Sequence, residues 1–506
     1  MPLVHLGRAR LKNLSPLKCL VAGVIVAFSL PPFGFWILAP IGIAILYRQL
    51  DNTTYRQRFL LGFIFGIGYF GISYYWITAL VVAGYIVLLI FESLLNGVAS
   101  SLSRTAISST SRIGTKVLRF AAIFTLIDEF RWSWPFGGMP MGSISLGQAS
   151  SPIGQLGRVG GPLLVEFVVF LLGASIAEIF SRNFTSAIKP IGAIALISLI
   201  AIAFAPNGGG PISRLKVASV QGGGTRGLHA IYTNANLVYE RQLIPTEKLK
   251  PSEHIGLILW PEDVIALSEP LNVSQANWQV AQIAKYLHTT LVAGVTQTIG
   301  ASHFLNEAVS WGPTGGIVGS YEKVHRVPFG EYIPDRSFFA HFGPTSLVPR
   351  DAIAGKGPGI FTITSAGGAQ VTGGARAAGG AQVTRKLGVA ISFEVLFPSR
   401  ARSGVENGAQ LIIIPTNDAS YKSGQVPAQE VAADQLRAIE EGRDLIQAAP
   451  TGYSDFVNNK GTILARSRLG SQQILIRTVT LRTGRTWYSY LGDWPMIITL
   501  LILALI

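Results

Sequence analysis

Seven long apolar stretches lie between residues 19 and 206, and an eighth closes the chain at 489–506. A helix needs about 20 apolar residues to cross the hydrocarbon of a bilayer. The stretches therefore predict spans near 19–31, 34–49, 59–77, 79–100, 118–135, 161–181, 190–206 and 489–506. The first is short, and Pro31-Pro32-Phe33-Gly34 separates it from the second, so a single re-entrant hairpin is an alternative for that pair. A secretory signal also has basic residues ahead of an apolar core, but such a signal is followed by a soluble chain. The many further stretches make the first a retained span. Asp128, Glu129 and Arg131 fall near the end of the span at 118–135, where charges must face protein or the interface.

Charge then orients these spans. Only 13% of the 506 residues are charged, yet the formal net charge is +14, against roughly 25% charged residues in an ordinary soluble chain. So apolar a chain is neither disordered nor purely soluble. The excess is positional: Arg8, Arg10, Lys12, Lys18, Arg48, Arg56, Arg58, Arg104, Arg112, Lys116, Arg119, Arg182 and Lys189 all lie on or beside alternate connecting segments. The positive-inside rule makes those segments cytoplasmic. Seven spans then precede residue 214, which places the next domain outside the cytoplasm. Basic residues are not interleaved with aromatic ones, so no nucleic-acid partner is implied. Cys19 is the single cysteine, at the cytoplasmic start of the first span. A disulfide framework and a thiolate metal site are therefore excluded. The seven histidines show no ligand spacing, and no metal or organic cofactor is expected.

The pattern changes from Leu215. Buried-looking strands at Leu215–Gln221, Ile255–Trp260, Thr290–Val295, Gly388–Ser392 and Leu411–Pro415 alternate with helix-like segments at Ser274–His288 and Ala428–Gln447. Continuous apolar strands alternating with helices predict a layered α/β domain. The expected organisation is a transmembrane domain over 1–206, a soluble domain over 214–480 and a terminal transmembrane helix over 489–506. A Gly/Ala-rich insert at 366–384, with GGAQVT occurring twice, reads as a flexible loop extension.

Three positions in the soluble part abut apolar runs where a rigid strand end would still reach a substrate. Glu262 follows IGLILWP, Lys323 sits in YEKVHRVPFGEYIP, and Ser392 ends GVAIS and is followed by Phe393-Glu394. Taken singly, they read equally well as a capping carboxylate, a solvated lysine and a turn serine.

Their order resembles the nitrilase superfamily, and most closely its membrane branch, the bacterial apolipoprotein N-acyltransferases. The string Val327-Pro328-Phe329-Gly330-Glu331-Tyr332-Ile333-Pro334 is the most specific element. Val220-Gln221-Gly222, Thr416-Asn417-Asp418, the segment Gln429–Arg443 and Pro450-Thr451-Gly452-Tyr453-Ser454 support it. The resemblance implies a multi-span helical membrane domain joined to an extracytoplasmic αββα nitrilase-like domain, in the bacterial cytoplasmic membrane. It implies that Glu262 is the general base, Lys323 the oxyanion stabiliser and Ser392 the nucleophile position, with Glu331 and Glu394 supporting them. It further implies a phospholipid acyl donor and a diacylglyceryl apolipoprotein acceptor, joined through an acyl-enzyme. The family carries cysteine where this chain has Ser392, and tyrosine where it has Phe393. Serine is far less acidic than a thiol of pKa about 8.5. Two readings follow, an acyltransferase working through serine and a homologue that binds lipoproteins with little or no transfer. A transporter is disfavoured, because the spans show no internally repeated broken helices.

Overall fold

The computed structural model describes residues 14–103, 113–180, 184–341, 345–346, 348–365 and 383–505. The Gly/Ala-rich insert lies outside the described residues apart from its last two positions. Contacts divide the chain into two compact units, one of residues up to Ala205 together with Leu491 onward, the other Pro206–Tyr490.

The first unit is helical: α1 (Ser15–Ala27), α2 (Leu38–Gln49), α3 (Tyr55–Ser73), α4 (Val82–Leu102), α5 (Ile113–Ser133), α6 (Gly157–Ile179) and α7 (Phe184–Phe204). Each expected apolar stretch in this unit becomes a helix. Among the described residues, two segments are long and apolar enough to cross a membrane, Val82–Leu102 and Pro152–Ile179, while Ser15–Ala27, Ala195–Phe204 and Trp494–Leu505 are shorter apolar helices. Small residues let α1 and α3 touch along their backbones. A Cβ on Gly23 would lie 2.0 Å from the Phe65 carbonyl oxygen, and one on Gly68 2.2 Å from that of Leu20. Such contacts are how apolar helices associate where burial from water offers no drive.

The polarity of α4 is inverted. It exposes Val82, Ile86, Val87, Ile90, Leu94 and Val98 while burying Glu92, Ser93, Asn96 and Ser100. Arg131, at the end of α5, is also buried, and its Nε lies 2.7 Å from Asp128 Oδ1. Its Nη1 donates to the Tyr74 hydroxyl and to the carbonyls of Met139 and Met141. Of the aromatic residues near the helix ends, Tyr74, Trp76 and Trp132 are buried, whereas Tyr75 and Trp134 are exposed.

Among its described residues the second unit holds fourteen strands: β1 (Ser213–Gln221), β2 (Leu257–Leu259), β3 (Ile265–Leu267), β4 (Thr290–Ile299), β5 (His303–Trp311), β6 (Ile317–Glu322), β7 (Asp351–Ala352), β8 (Ile360–Ser365), β9 (Val383–Val389), β10 (Leu411–Pro415), β11 (Leu445–Ala448), β12 (Asp455–Val457), β13 (Ile463–Arg466) and β14 (Gln473–Leu481). Its longer helices are α8 (Ala235–Thr246), α9 (Gln275–Tyr286), α10 (Pro398–Glu406) and α11 (Gln425–Glu441). The last helix of the chain, α12 (Trp494–Leu505), belongs to the first unit. One sheet runs β14-β1-β2-β4-β5-β6, with β3 on β4 and β7 on β5, and the other runs β13-β12-β11-β10-β9-β8. Val217, Leu257, Leu259 and Val292 from the first sheet interleave with Leu387, Val389, Leu411, Ile413 and Ile446 from the second. Trp260, Leu291 and Val295 turn the other way, against Val280, Ala284 and Leu287 of the α9 region. With α10 and α11 against the second sheet, the order is αββα.

Two expectations are corrected. The strand expected to end at Ser392 stops at Val389, and Ser392 opens a separate 3-10 turn to Leu396. The helix expected over Ala428–Gln447 ends at Glu441. Gly442 adopts φ +62, which a side chain disfavours, and reverses the chain into β11.

Candidate active site

Three chain segments deliver the charged residues. β2 ends at Leu259 and continues through Trp260-Pro261, so Glu262 stands just beyond the edge of the parallel strands, where its backbone N–H donates to the Thr416 carbonyl at 3.3 Å. This approach depends on Gly294 of β4, because a Cβ there would fall 2.3 Å from the Glu262 Cα. Lys323 directly follows β6, and its N–H donates to the Asn306 carbonyl at 2.9 Å. Glu331 is turned back toward it by a tight loop in which Glu331 Oε2 accepts from the Val327 N–H at 2.7 Å.

The three side chains meet. Lys323 Nζ lies 2.8 Å from Glu262 Oε1 and 2.7 Å from Glu331 Oε1. Asn306 Nδ2 donates to the same two oxygens at 2.8 and 3.0 Å. Lys323 is 1% exposed and Glu262 4%. Burial works against the Lys323 ammonium, but Glu262 and then Glu331 outweigh it and raise its pKa. Burial also raises the Glu262 carboxyl, with Glu331 adding to the rise and Lys323 and Asn306 opposing it. The result is a fixed cation beside a carboxylate of increased basicity, in a setting that excludes water.

Ser392 is 6% exposed and takes φ +49, a left-handed backbone rare for a non-glycine residue. Its Oγ makes no hydrogen bond among the described residues. Glu394, two residues on and fully buried, fixes the turn. Its carboxylate accepts from the Ile391 N–H at 2.8 Å, the Val324 N–H at 2.8 Å, the His325 N–H at 3.0 Å and the Tyr321 hydroxyl at 2.9 Å. One side chain thus ties the turn that carries Ser392 to the residues on both sides of Lys323. A strained residue three positions past a strand, with its hydroxyl unengaged, is a suitable posture for a nucleophile.

Asn306 was not apparent in the sequence, since an amide inside a strand resembles any cross-strand polar residue. A second group of buried acids lies behind the site. Asp418 is pushed up to about 7 by burial, against the pull of Arg226. Glu430 accepts from Thr416 Oγ1 at 3.0 Å. Among the described residues no group of His, Cys, Asp and Glu is arranged to hold a metal ion.

With strand-end carboxylates, a buried lysine and an αββα frame established, kinship can be stated. Residues 216–489 match the carbon–nitrogen hydrolase family, and the chain belongs to it. Residues 22–175 match the apolipoprotein N-acyltransferase N-terminal domain, and the two parts together make this an acyltransferase of that superfamily. The apolipoprotein N-acyltransferase of Shewanella oneidensis is 24% identical, over 97% of this chain and 95% of its own length. That of Mycolicibacterium smegmatis is 28% identical, over 98% and 85% respectively. A solved structure, Nit3 of Saccharomyces cerevisiae, a member of branch 10 of the nitrilase superfamily, is 16% identical with a TM-score of 0.37. That match covers 53% of this chain and 90% of Nit3.

Proposed function

We propose that this chain N-acylates the diacylglyceryl-cysteine at the N-terminus of bacterial lipoproteins, with a membrane phospholipid as acyl donor. The observation that carries this is the Lys323–Glu262–Glu331 ion set joined by Glu394 to the Ser392 turn. Glu262 accepts the Ser392 proton as Oγ attacks the ester carbonyl of the donor. The Lys323 ammonium stabilises the oxyanion of the tetrahedral intermediate. Collapse expels the lysophospholipid, whose oxygen takes the proton back from Glu262, and leaves the acyl group on Ser392. The lipoprotein amine then attacks this ester and gives its proton to Glu262, which passes it to Ser392 Oγ as the amide departs. Glu331 holds Lys323 in place, and Glu394 holds the nucleophile turn.

Lipid substrates call for a membrane setting. The exposed aliphatic face and buried polar face of α4 support it. We read the first unit as a multi-pass membrane domain in the bacterial cytoplasmic membrane, with the catalytic unit on the extracytoplasmic side. A second reading is favoured by serine at position 392, namely a homologue that binds lipoproteins and transfers little. One experiment separates the two. The chain is expressed in cells depleted of their own lipoprotein N-acyltransferase, and the lipoprotein N-terminus is weighed by mass spectrometry. A third acyl chain that disappears in Ser392→Ala establishes the serine enzyme. Diacyl product only, with triacyl product restored by Ser392→Cys, establishes the binding homologue.

A further inference from the structure

Away from the catalytic residues, the helical unit contains a cavity of about 240 Å³ lined by Leu102, Arg119, Ile123, Leu126, Ile127 and Ala504. Three helices form it. Leu102 is the last residue of α4, Ala504 is next to the last of α12, and the other four come from α5. The cavity therefore starts at one end of this helix group, where α4 stops and α12 stops.

Its lining is segregated. Arg119 is the one charged lining residue, and its Nε is buried with no hydrogen-bond partner among the described residues. Ile123, Leu126 and Ile127 follow at intervals that place them on the same face of α5 as Arg119. From Arg119 to Ile127 is eight residues, roughly 12 Å of helix at about 1.5 Å per residue. Lys116, one turn nearer the start of α5, adds a second cation at the same end. A cation at the mouth and an aliphatic track behind it match a lipid phosphate with one acyl chain laid along the helix. A buried guanidinium nitrogen without a partner is costly unless an anion meets it.

We propose that this cavity binds an anionic phospholipid of the surrounding membrane, with its phosphate at Arg119 and an acyl chain over Ile123, Leu126 and Ile127. Basic pockets between membrane helices commonly take anionic headgroups. The site rests on the membrane reading given above, and it is separate from the acyl donor bound for catalysis.

The test uses the full chain in detergent, incubated with equal amounts of phosphatidylglycerol and phosphatidylcholine, and bound lipid is read by native mass spectrometry. The chain is expected to retain phosphatidylglycerol over phosphatidylcholine by about fivefold. Arg119→Gln should abolish that preference and Arg119→Lys should keep it, while Ala504→Phe should reduce retention of both lipids by filling the cavity beside Arg119. Lipid held at the catalytic centre is common to all these proteins and cancels in the comparison. A preference unchanged in Arg119→Gln, or retention unchanged in Ala504→Phe, would overturn the proposal and leave the cavity as a gap filled by bulk lipid. Release of the chain from membranes by alkaline carbonate alone would refute the membrane reading, and this site with it. A chain that needs detergent but ignores Arg119 would refute the site alone.

Discussion

Lys323 shows how strongly a single residue can be committed by its surroundings. It is almost fully buried between two carboxylates, both within 2.8 Å of its ammonium. Removing one member of such a set leaves buried charge uncompensated, which costs about 3–5 kcal/mol. Lys323→Met should therefore lower the thermal unfolding midpoint in detergent, and adding Glu331→Gln should restore part of the loss. A double variant no more stable than Lys323→Met would show that the carboxylates do not repel through that lysine. The same residues set the pH dependence. Glu262 must be ionised to act as base, and burial followed by Glu331 raises its pKa. Activity should therefore rise with pH through that elevated value. Glu331→Gln removes a like charge and should move the acid limb of the kcat profile to lower pH. Asn306→Leu removes a donor to the carboxylate and should move it to higher pH. Shifts of the same sign in both variants would contradict this account.

At the scale of elements, the site depends on a few close approaches and turns. Gly294→Ala would push a Cβ into the Glu262 backbone, since 2.3 Å is far inside contact distance. Overpacking of this kind costs about 1–3 kcal/mol, and both unfolding midpoint and activity should fall. The segment after β6 also carries a titration. The His325 ring stacks on Phe397 with centroids 4.3 Å apart, and burial followed by Arg400 lowers its pKa to about 4. The unfolded chain thus binds this proton at higher pH than the folded one. The stability that His325 contributes is present above its ordinary value near 6.5 and is lost as pH falls toward about 4. His325→Phe keeps the stack and should flatten the pH dependence of the unfolding midpoint across that window. Much of this was legible in the sequence. β10 matches its expected limits, Leu411–Pro415. Gln221 and Ser454, from two of the distant motifs, meet through a hydrogen bond of 2.9 Å. Glu262, 61 residues before Lys323, meets it and Glu331 in one buried cluster. Asn306 and Gly294 were not legible, because their importance comes from which strand lies alongside, and register across a sheet leaves no local pattern. The end of α11 was missed because Glu441 through Gln447 remain compatible with helix until Gly442 takes its left-handed turn.

At the scale of the whole molecule, the remaining question is sidedness, and the chain's composition offers a direct probe. The basic residues gather around alternate connecting segments, including 50–58, and the positive-inside rule assigns those to the cytoplasm. With the odd number of crossings we propose, the catalytic unit would lie outside. Cys19 is the single cysteine and is fully buried. The chain is thus a natural silent background for introduced cysteines. Ala301 lies exposed in the turn between β4 and β5, and Asp51 lies exposed after α2. A membrane-impermeant maleimide applied to intact spheroplasts should label Ala301→Cys and spare Asp51→Cys, and permeabilisation should make both reactive. Labelling of Asp51→Cys alone in intact spheroplasts would invert the topology. The catalytic unit would then face the cytoplasm, and the charge bias would need a different cause.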